Sequence, residues 1–273
     1  MTAPVFRSIV HPTDFSKASI PAFAHALRIA VGAKSRLHLL NVARREAREN
    51  ELAPFPRVRK TLIKWGIPEA DAPRHAVSST VGLHAVRAQV DDYNVSAGVA
   101  AYAEAESCDL LVLMTRGRSG PSRWMYGSVA SETARRSCVP ALFLRAGVEG
   151  FVDRETGAVS LKRALIPIDP AIAPLAARRL VEALALALQS PCEIKLLSVG
   201  ATFELGGDWP HVETREGPLV ETIVGYAHEV GADLIAMPTA GRRGLFEALL
   251  GSTTERVIIE SNQPVLVVPI EAN

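Results

Sequence analysis

The chain has 273 residues, 48% of them hydrophobic and 22% charged, which is the balance of a soluble globular protein with room for two ordinary domains. A formal net charge of +1 supplies no overall field toward nucleic acid or a membrane surface. No apolar stretch reaches transmembrane length, and Met1 runs into a strand-like segment with no leader pattern, so a cytoplasmic protein is expected.

In chain order, Phe6–Val10 is a short apolar run that predicts a first strand. Ile20, Phe23, Leu27 and Ala30 or Val31 then recur at helical spacing, with Ser16 as the candidate cap. Leu37–Val42 predicts the second strand. A long stretch follows before the next strand near Leu83–Val90; Phe55–Trp65 can form a helix and Gly66–Gly82 reads as loop. Loops of that length in compact domains are mostly functional or disordered. Asp109–Leu113 is nearly continuously apolar, as suits a strand buried on both faces of a parallel sheet. Val129–Arg136 predicts a helix and Ala141–Leu144 a closing strand. Ala146–Ser160, aperiodic and rich in glycine and acidic residues, is the expected boundary between residues 1–146 and 161–273.

Beyond it the order repeats. Strand Ala164–Ile168 precedes a helix carrying Leu180, Leu184 and Leu188, which Pro174 suits at its opening turn. Strands Ile194–Val199 and Asp233–Met237, helix Thr253–Glu260 and strand Val265–Val268 follow. The two copies align without a gap from Asp109–Leu144 to Asp233–Val268, and Pro12-Thr-Asp14 matches Pro167-Ile-Asp169. Such a duplication predicts two tandem α/β domains, each a doubly wound, five-stranded parallel sheet of Rossmann-like form, related by a pseudo-twofold axis.

Ligands of open α/β sheets sit outside the carboxyl ends of the strands. Asp14 and Asp169 lie just past the first strands, and Val42 and Val199 end the second. Gly117 and Gly241 lie just past the fourth, and nine residues separate them from Gly127-Ser128 and Gly251-Ser252. These pairs open helices, where free N–H groups and the positive dipole end favour phosphate. Each feature alone has a plainer reading: glycine as turn geometry, Ser128 or Asp14 as a helix cap. Their recurrence in both copies favours the ligand reading. Trp124-Met-Tyr126, just before Gly127, either packs under the loop or walls its entrance. The sequence has no P-loop, no dinucleotide fingerprint, no CxxC and no histidine spacing for a metal, so no metal site or catalytic set is assigned.

Val10-His-Pro-Thr-Asp-Phe-Ser16, Thr115-Arg-Gly-Arg-Ser-Gly120 leading to Gly127-Ser128, and Gly251-Ser-Thr-Thr-Glu-Arg256 leading to Pro264–Val268 resemble the motifs of universal stress protein domains. The chain looks like a tandem member of that family. In ATP-binding members the phosphate motif opens with a further glycine, which Met114 and Pro238 replace here. The resemblance implies that Pro12, Thr13, Asp14 and Val42 hold adenine and ribose, and that Arg116, Gly117, Gly127, Ser128 and Val129 hold phosphates. The second-half equivalents are Asp169, Val199, Gly241, Gly251, Ser252 and Thr253, with Ala240 in place of Arg116. It further implies a stress-response protein that binds ATP, AMP or ADP, with or without Mg, and hydrolyses it slowly or not at all. The alternative is a scaffold for a protein partner that has lost nucleotide binding. No nucleic-acid or membrane partner is implied. An internal pseudo-dimer joined through Ala141–Leu144 and Val265–Val268 is expected, with further homodimerisation open.

Overall fold

The structure, a computed structural model, describes residues 6–43, 55–67, 73, 81–115, 128–169, 174–202, 205–241 and 252–271. In the first half the elements are β1 (Ser8–Pro12), α1 (Ile20–Ala33), β2 (Arg36–Val42), α2 (Val58–Lys64), β3 (His84–Val90), α3 (Val95–Ala105), β4 (Leu110–Thr115), α4 (Ser128–Ser137) and β5 (Ala141–Arg145). The second half follows with β6 (Arg163–Ile168), α5 (Leu175–Leu188), β7 (Glu193–Val199), β8 (Val212–Arg215), α6 (Leu219–Glu229), β9 (Leu234–Gly241), α7 (Ser252–Glu260) and β10 (Val265–Glu271).

All ten strands form one sheet in the order β3-β2-β1-β4-β5-β10-β9-β6-β7-β8. Within each half every neighbouring pair is parallel, and the halves join by the antiparallel pair β5 and β10, with Leu142 opposite Leu266. The palindromic order about an antiparallel centre is what two copies related by a twofold axis produce. The expected joining through the last strands is thus observed. Two core layers cover the faces, and each contains buried residues of both halves. One contains Leu27, Phe151 and Leu184; the other contains Val99, Phe143 and Val257.

Small details repeat with the sequence. Asp109, before β4, accepts backbone N–H groups of Arg7 and Ser8, and Asp233, before β9, accepts those of Lys162 and Arg163. Lys34 and Gln189 end α1 and α5 in the left-handed region, at φ 54° and 52°. The serine after each, Ser35 or Ser190, donates to a carbonyl just upstream of the half's first strand, at 2.6 Å in both copies. The α1 and α5 helices meet at Gly32, where a Cβ would stand 1.8 Å from the Ala187 carbonyl oxygen. Only glycine allows so close a crossing.

One expectation changes. Ser16 makes no side-chain cap; the chain first turns through a 3₁₀ segment, Lys17–Ser19, and Asp14 Oδ1 accepts the Ser16 N–H at 3.0 Å. The aspartate reaches a donor two residues on, and so takes the local role. In the long segment after Val42 the expected helix is present, as α2 (Val58–Lys64). Phe55 meets Phe15 edge-on at 5.0 Å, but α2 runs to the joint between the halves. There the Trp65 indole donates to the Arg154 carbonyl at 3.2 Å, its ring fills the space beside Gly157, and Lys64 pairs with Glu155. The segment joining the halves is itself packed: Phe151 and Val152 are buried, and Val152 bridges Val159. Most of Gly66–Gly82 lies outside the described residues, as does Trp124-Met-Tyr126.

Candidate functional site

A cavity of about 350 Å³ opens at the carboxyl ends of β1, β2 and β4 in the first half. Pro12, Thr13 and Asp14 leave β1 along its wall, Asn41 and Val42 end β2, and Met114 and Thr115 end β4. Val95 and Val99 of α3 and Val129, Ala130 and Thr133 of α4 close the other side. Its lining is mostly apolar with polar groups at the rim, the usual make-up of a small-molecule site. The first turn of α4 borders it through Val129 and Ala130, where the backbone N–H groups have no partner within the helix and the dipole end is positive.

The turn after β1 is rigidly built. Thr13 N–H donates to the Leu40 carbonyl at 2.8 Å, and the Thr13 carbonyl accepts from Asn41 Nδ2 at 2.9 Å. Thr13 Oγ1 accepts the Phe15 N–H at 3.0 Å and lies 3.4 Å from Ser19 Oγ. The Thr13 hydroxyl therefore holds the turn, while Asp14 stands exposed at the rim with one oxygen on Ser16. Phe15 takes φ 62°, a conformation uncommon for a bulky residue, and the chain beyond it returns to the cavity wall at Ser16, Ala18 and Ser19.

Pro12, Thr13, Asp14, Val42 and Val129 are thus brought together. Arg116, Gly117 and Gly127 lie outside the described residues; Ser128 opens α4, its side chain undescribed. In the second half Asp169 follows β6, Val199 ends β7, Gly241 ends β9, and Ser252 and Thr253 open α7; Gly251 lies outside the described residues. Thr115 and Thr239 each donate to a carbonyl of the neighbouring last strand at 3.4 Å, so the strand ends beside the two phosphate motifs match.

Sequence reasoning missed Asn41, which braces Thr13, and the whole of α3. The available signal for α3 was Asn94, whose side chain accepts the Ala97 N–H at 3.0 Å as an N-cap. Gly98 lets α3 approach: a Cβ there would come within 2.9 Å of Val42 Cγ1. Among the described residues of the first half, His11, His25 and His38 are buried. His11 Nδ1–H donates to the Val112 carbonyl, 2.9 Å away, while its Nε2 has no partner among the described residues. Burial pushes its pKa down to about 4. His38 sits between Ser8 Oγ and the Tyr102 hydroxyl, and burial lowers its pKa as well. His25 is described with the joint below. Among the described residues no group of histidine, cysteine and carboxylate side chains can hold a metal, and no helix is long and apolar enough to cross a membrane.

A solved protein of Pseudomonas aeruginosa, described as functionally unknown, shares the fold with a TM-score of 0.62 at 19% identity over 97% of this chain and 92% of its own. A universal stress protein from Archaeoglobus fulgidus gives a TM-score of 0.59 at 17% identity, covering 96% of both chains. Universal stress protein MJ0531 of Methanocaldococcus jannaschii is 50% identical over 58 residues, 21% of this chain and 34% of its own length. The aligned stretch therefore spans about a third of that relative. The model of the universal stress protein family matches residues 6–145 and 177–269, both copies of the repeat. Matched twice over, across most of its length, the chain belongs to the universal stress protein family.

Proposed function

We propose that the first half binds an adenine nucleotide and that the protein acts in a stress response through its bound state, in the cytoplasm, with little or no hydrolysis. One observation carries this. Five residues expected to hold adenine, ribose and phosphate line one cavity at the carboxyl edge of the sheet, against the start of α4. The cavity volume of about 350 Å³ lies within the range of small-ligand pockets. Val42, Val95 and Val99 give an apolar slot for a base, and Asp14 at the rim can accept bonds from ribose hydroxyls.

The first half is the better site in this reading. Arg116 has no charged counterpart at Ala240, and Pro238 removes an N–H that Met114 keeps. One observation favours the scaffold alternative: Met114 lines the cavity where ATP-binding members of the family carry glycine. Mass spectrometry of ligand released from purified protein separates the two, because a scaffold releases no nucleotide. Calorimetric titration of ATP into wild type, Asp14→Ala and Asp169→Ala then ranks the halves. Loss of binding in Asp169→Ala with Asp14→Ala unchanged would reverse the ranking.

A further inference from the structure

The seam between the halves holds a second cavity, of about 390 Å³. Arg145 and the turn that follows β5 border it on one side; Asp233, Asn262 and Gln263 of the second half border it on the other. Arg145 ends β5 in register with Thr115, which ends β4 and lines the first-half cavity. Thr115 and Arg145 each stand two residues beyond a side chain of the α3–α4 core layer, Leu113 and Phe143. Side chains alternate along a strand, so both point to the face that carries α4. Neighbouring strands lie about 4.8 Å apart, and only that spacing separates the Arg145 backbone from the wall of the first cavity.

Among the described residues no carboxylate pairs with Arg145. Its Nη2 donates to the neutral Asn262 Oδ1, and its Nε is shut off from solvent with no partner among the described residues. Two acids border the same cavity, and neither forms an ion pair with Arg145 among the described residues. Glu149 pairs with Arg154 at 3.5 Å, and Asp233 accepts the backbone N–H groups of Lys162 and Arg163. A guanidinium held in a concave site with only a neutral partner is suited to an oxyanion, which its planar fork can meet with two bonds. The pseudo-symmetric position lacks the device. Thr239 is in register with Pro269, and Cys138 aligns with Asn262.

We infer that Arg145, oriented by Asn262 of the second half, binds a phosphate group at the seam, and that this is the terminal phosphate of a nucleotide seated in the first-half cavity. The inference rests on the nucleotide reading of that cavity. It makes the second half a contributor to the first half's site: Arg145 discriminates nucleotides by phosphate number, and Asn262 is its positioning residue. Free phosphate offers the same chemistry, so the test has an arm for each source.

AMP, ATP and inorganic phosphate are titrated calorimetrically into wild type, Arg145→Met and Asn262→Asp. Methionine keeps an unbranched stem without the charge; aspartate sets a carboxylate against the guanidinium in competition with phosphate. The expected result is unchanged AMP affinity and ATP affinity lower by about ten-fold in both variants. If ATP and AMP respond alike while phosphate binding is lost in the variants, the seam binds free phosphate and the link to the nucleotide is wrong. If the ATP-to-AMP ratio and phosphate binding both stay at wild-type values, the inference is overturned. If wild type binds neither nucleotide, the reading of the first cavity fails; the inference that rests on it falls too, and the phosphate titration then reports only whether the seam binds an anion. Thermal melts accompany each titration, and should Arg145→Met fail to fold, Asn262→Asp carries the test.

Discussion

Acidification should loosen the joint between the halves, and His25 is where the effect concentrates. Its Nδ1–H bonds the Pro21 carbonyl at 2.8 Å, and its Nε2 accepts the N–H groups of Phe151 and Val152 at 3.0 and 3.1 Å. The ring also packs edge-on against Phe151 at 4.5 Å. Two donors aimed at Nε2 leave no place for a proton, and burial pushes the pKa from 6.5 down to about 4. Between those values the unfolded chain holds more protons than the folded one, so stability is fully present above pH 6.5 and is lost as pH falls toward 4. At about 1.4 kcal/mol per unit, the full loss is about 3 kcal/mol, with about 2 kcal/mol gone by pH 5. In His25→Leu the two buried N–H groups lose their acceptor, at about 1–3 kcal/mol each. Urea unfolding followed by circular dichroism near pH 7 and pH 5 measures both effects. The variant should be several kcal/mol less stable near pH 7, and the gap should narrow by about 2 kcal/mol near pH 5. A gap that does not change with pH would refute the reasoning, whatever its size.

Three further outcomes follow from named contacts. Gly32→Ala must force α1 and α5 apart; at about 1–3 kcal/mol for overpacking, differential scanning calorimetry should record a drop of several degrees, and an unchanged midpoint would deny the close crossing. Trp65→Ala should expose the joint, so a glutamate-specific protease should cut after Glu155 faster than in wild type; equal rates would mean that Trp65 does not hold this segment. Gly98→Val should push α3 off Val42 and weaken nucleotide binding more than it lowers the melting temperature; calorimetric affinity at the wild-type value would remove α3 from the site.

The duplication made most of the fold legible. A gapless match over β4, α4 and β5 fixed which segments correspond, and strand burial followed from the apolar runs. The site was legible where it depends on strand ends, because a parallel sheet gathers those ends at one edge. Asn41 was not, since its partner Thr13 is distant in sequence and nothing local marks the bond. α3 was passed over because its small residues, Ser96, Ala97, Gly98 and Ala100, carry little apolar periodicity, although Asn94 announced its start. The joint looked like plain linker for a similar reason. Its glycines and acids suit exposure, yet Phe151 and Val152 are held by His25, whose role depends on a contact between residues more than a hundred positions apart.

Pairing β5 with β10 also decides what the chain does when dilute. Two separate single-domain copies joined along that edge would part as concentration falls, whereas here the partner is tethered and its effective concentration stays at the millimolar level of a short link. The strands left at the outer borders are poor docking rails: β8 spans only Val212–Arg215 and carries Glu213 and Arg215, while β3 turns Arg87 and Gln89 outward among exposed neighbours. Having met its own sheet edge once, the described part of the molecule has little left to offer another copy by strand addition.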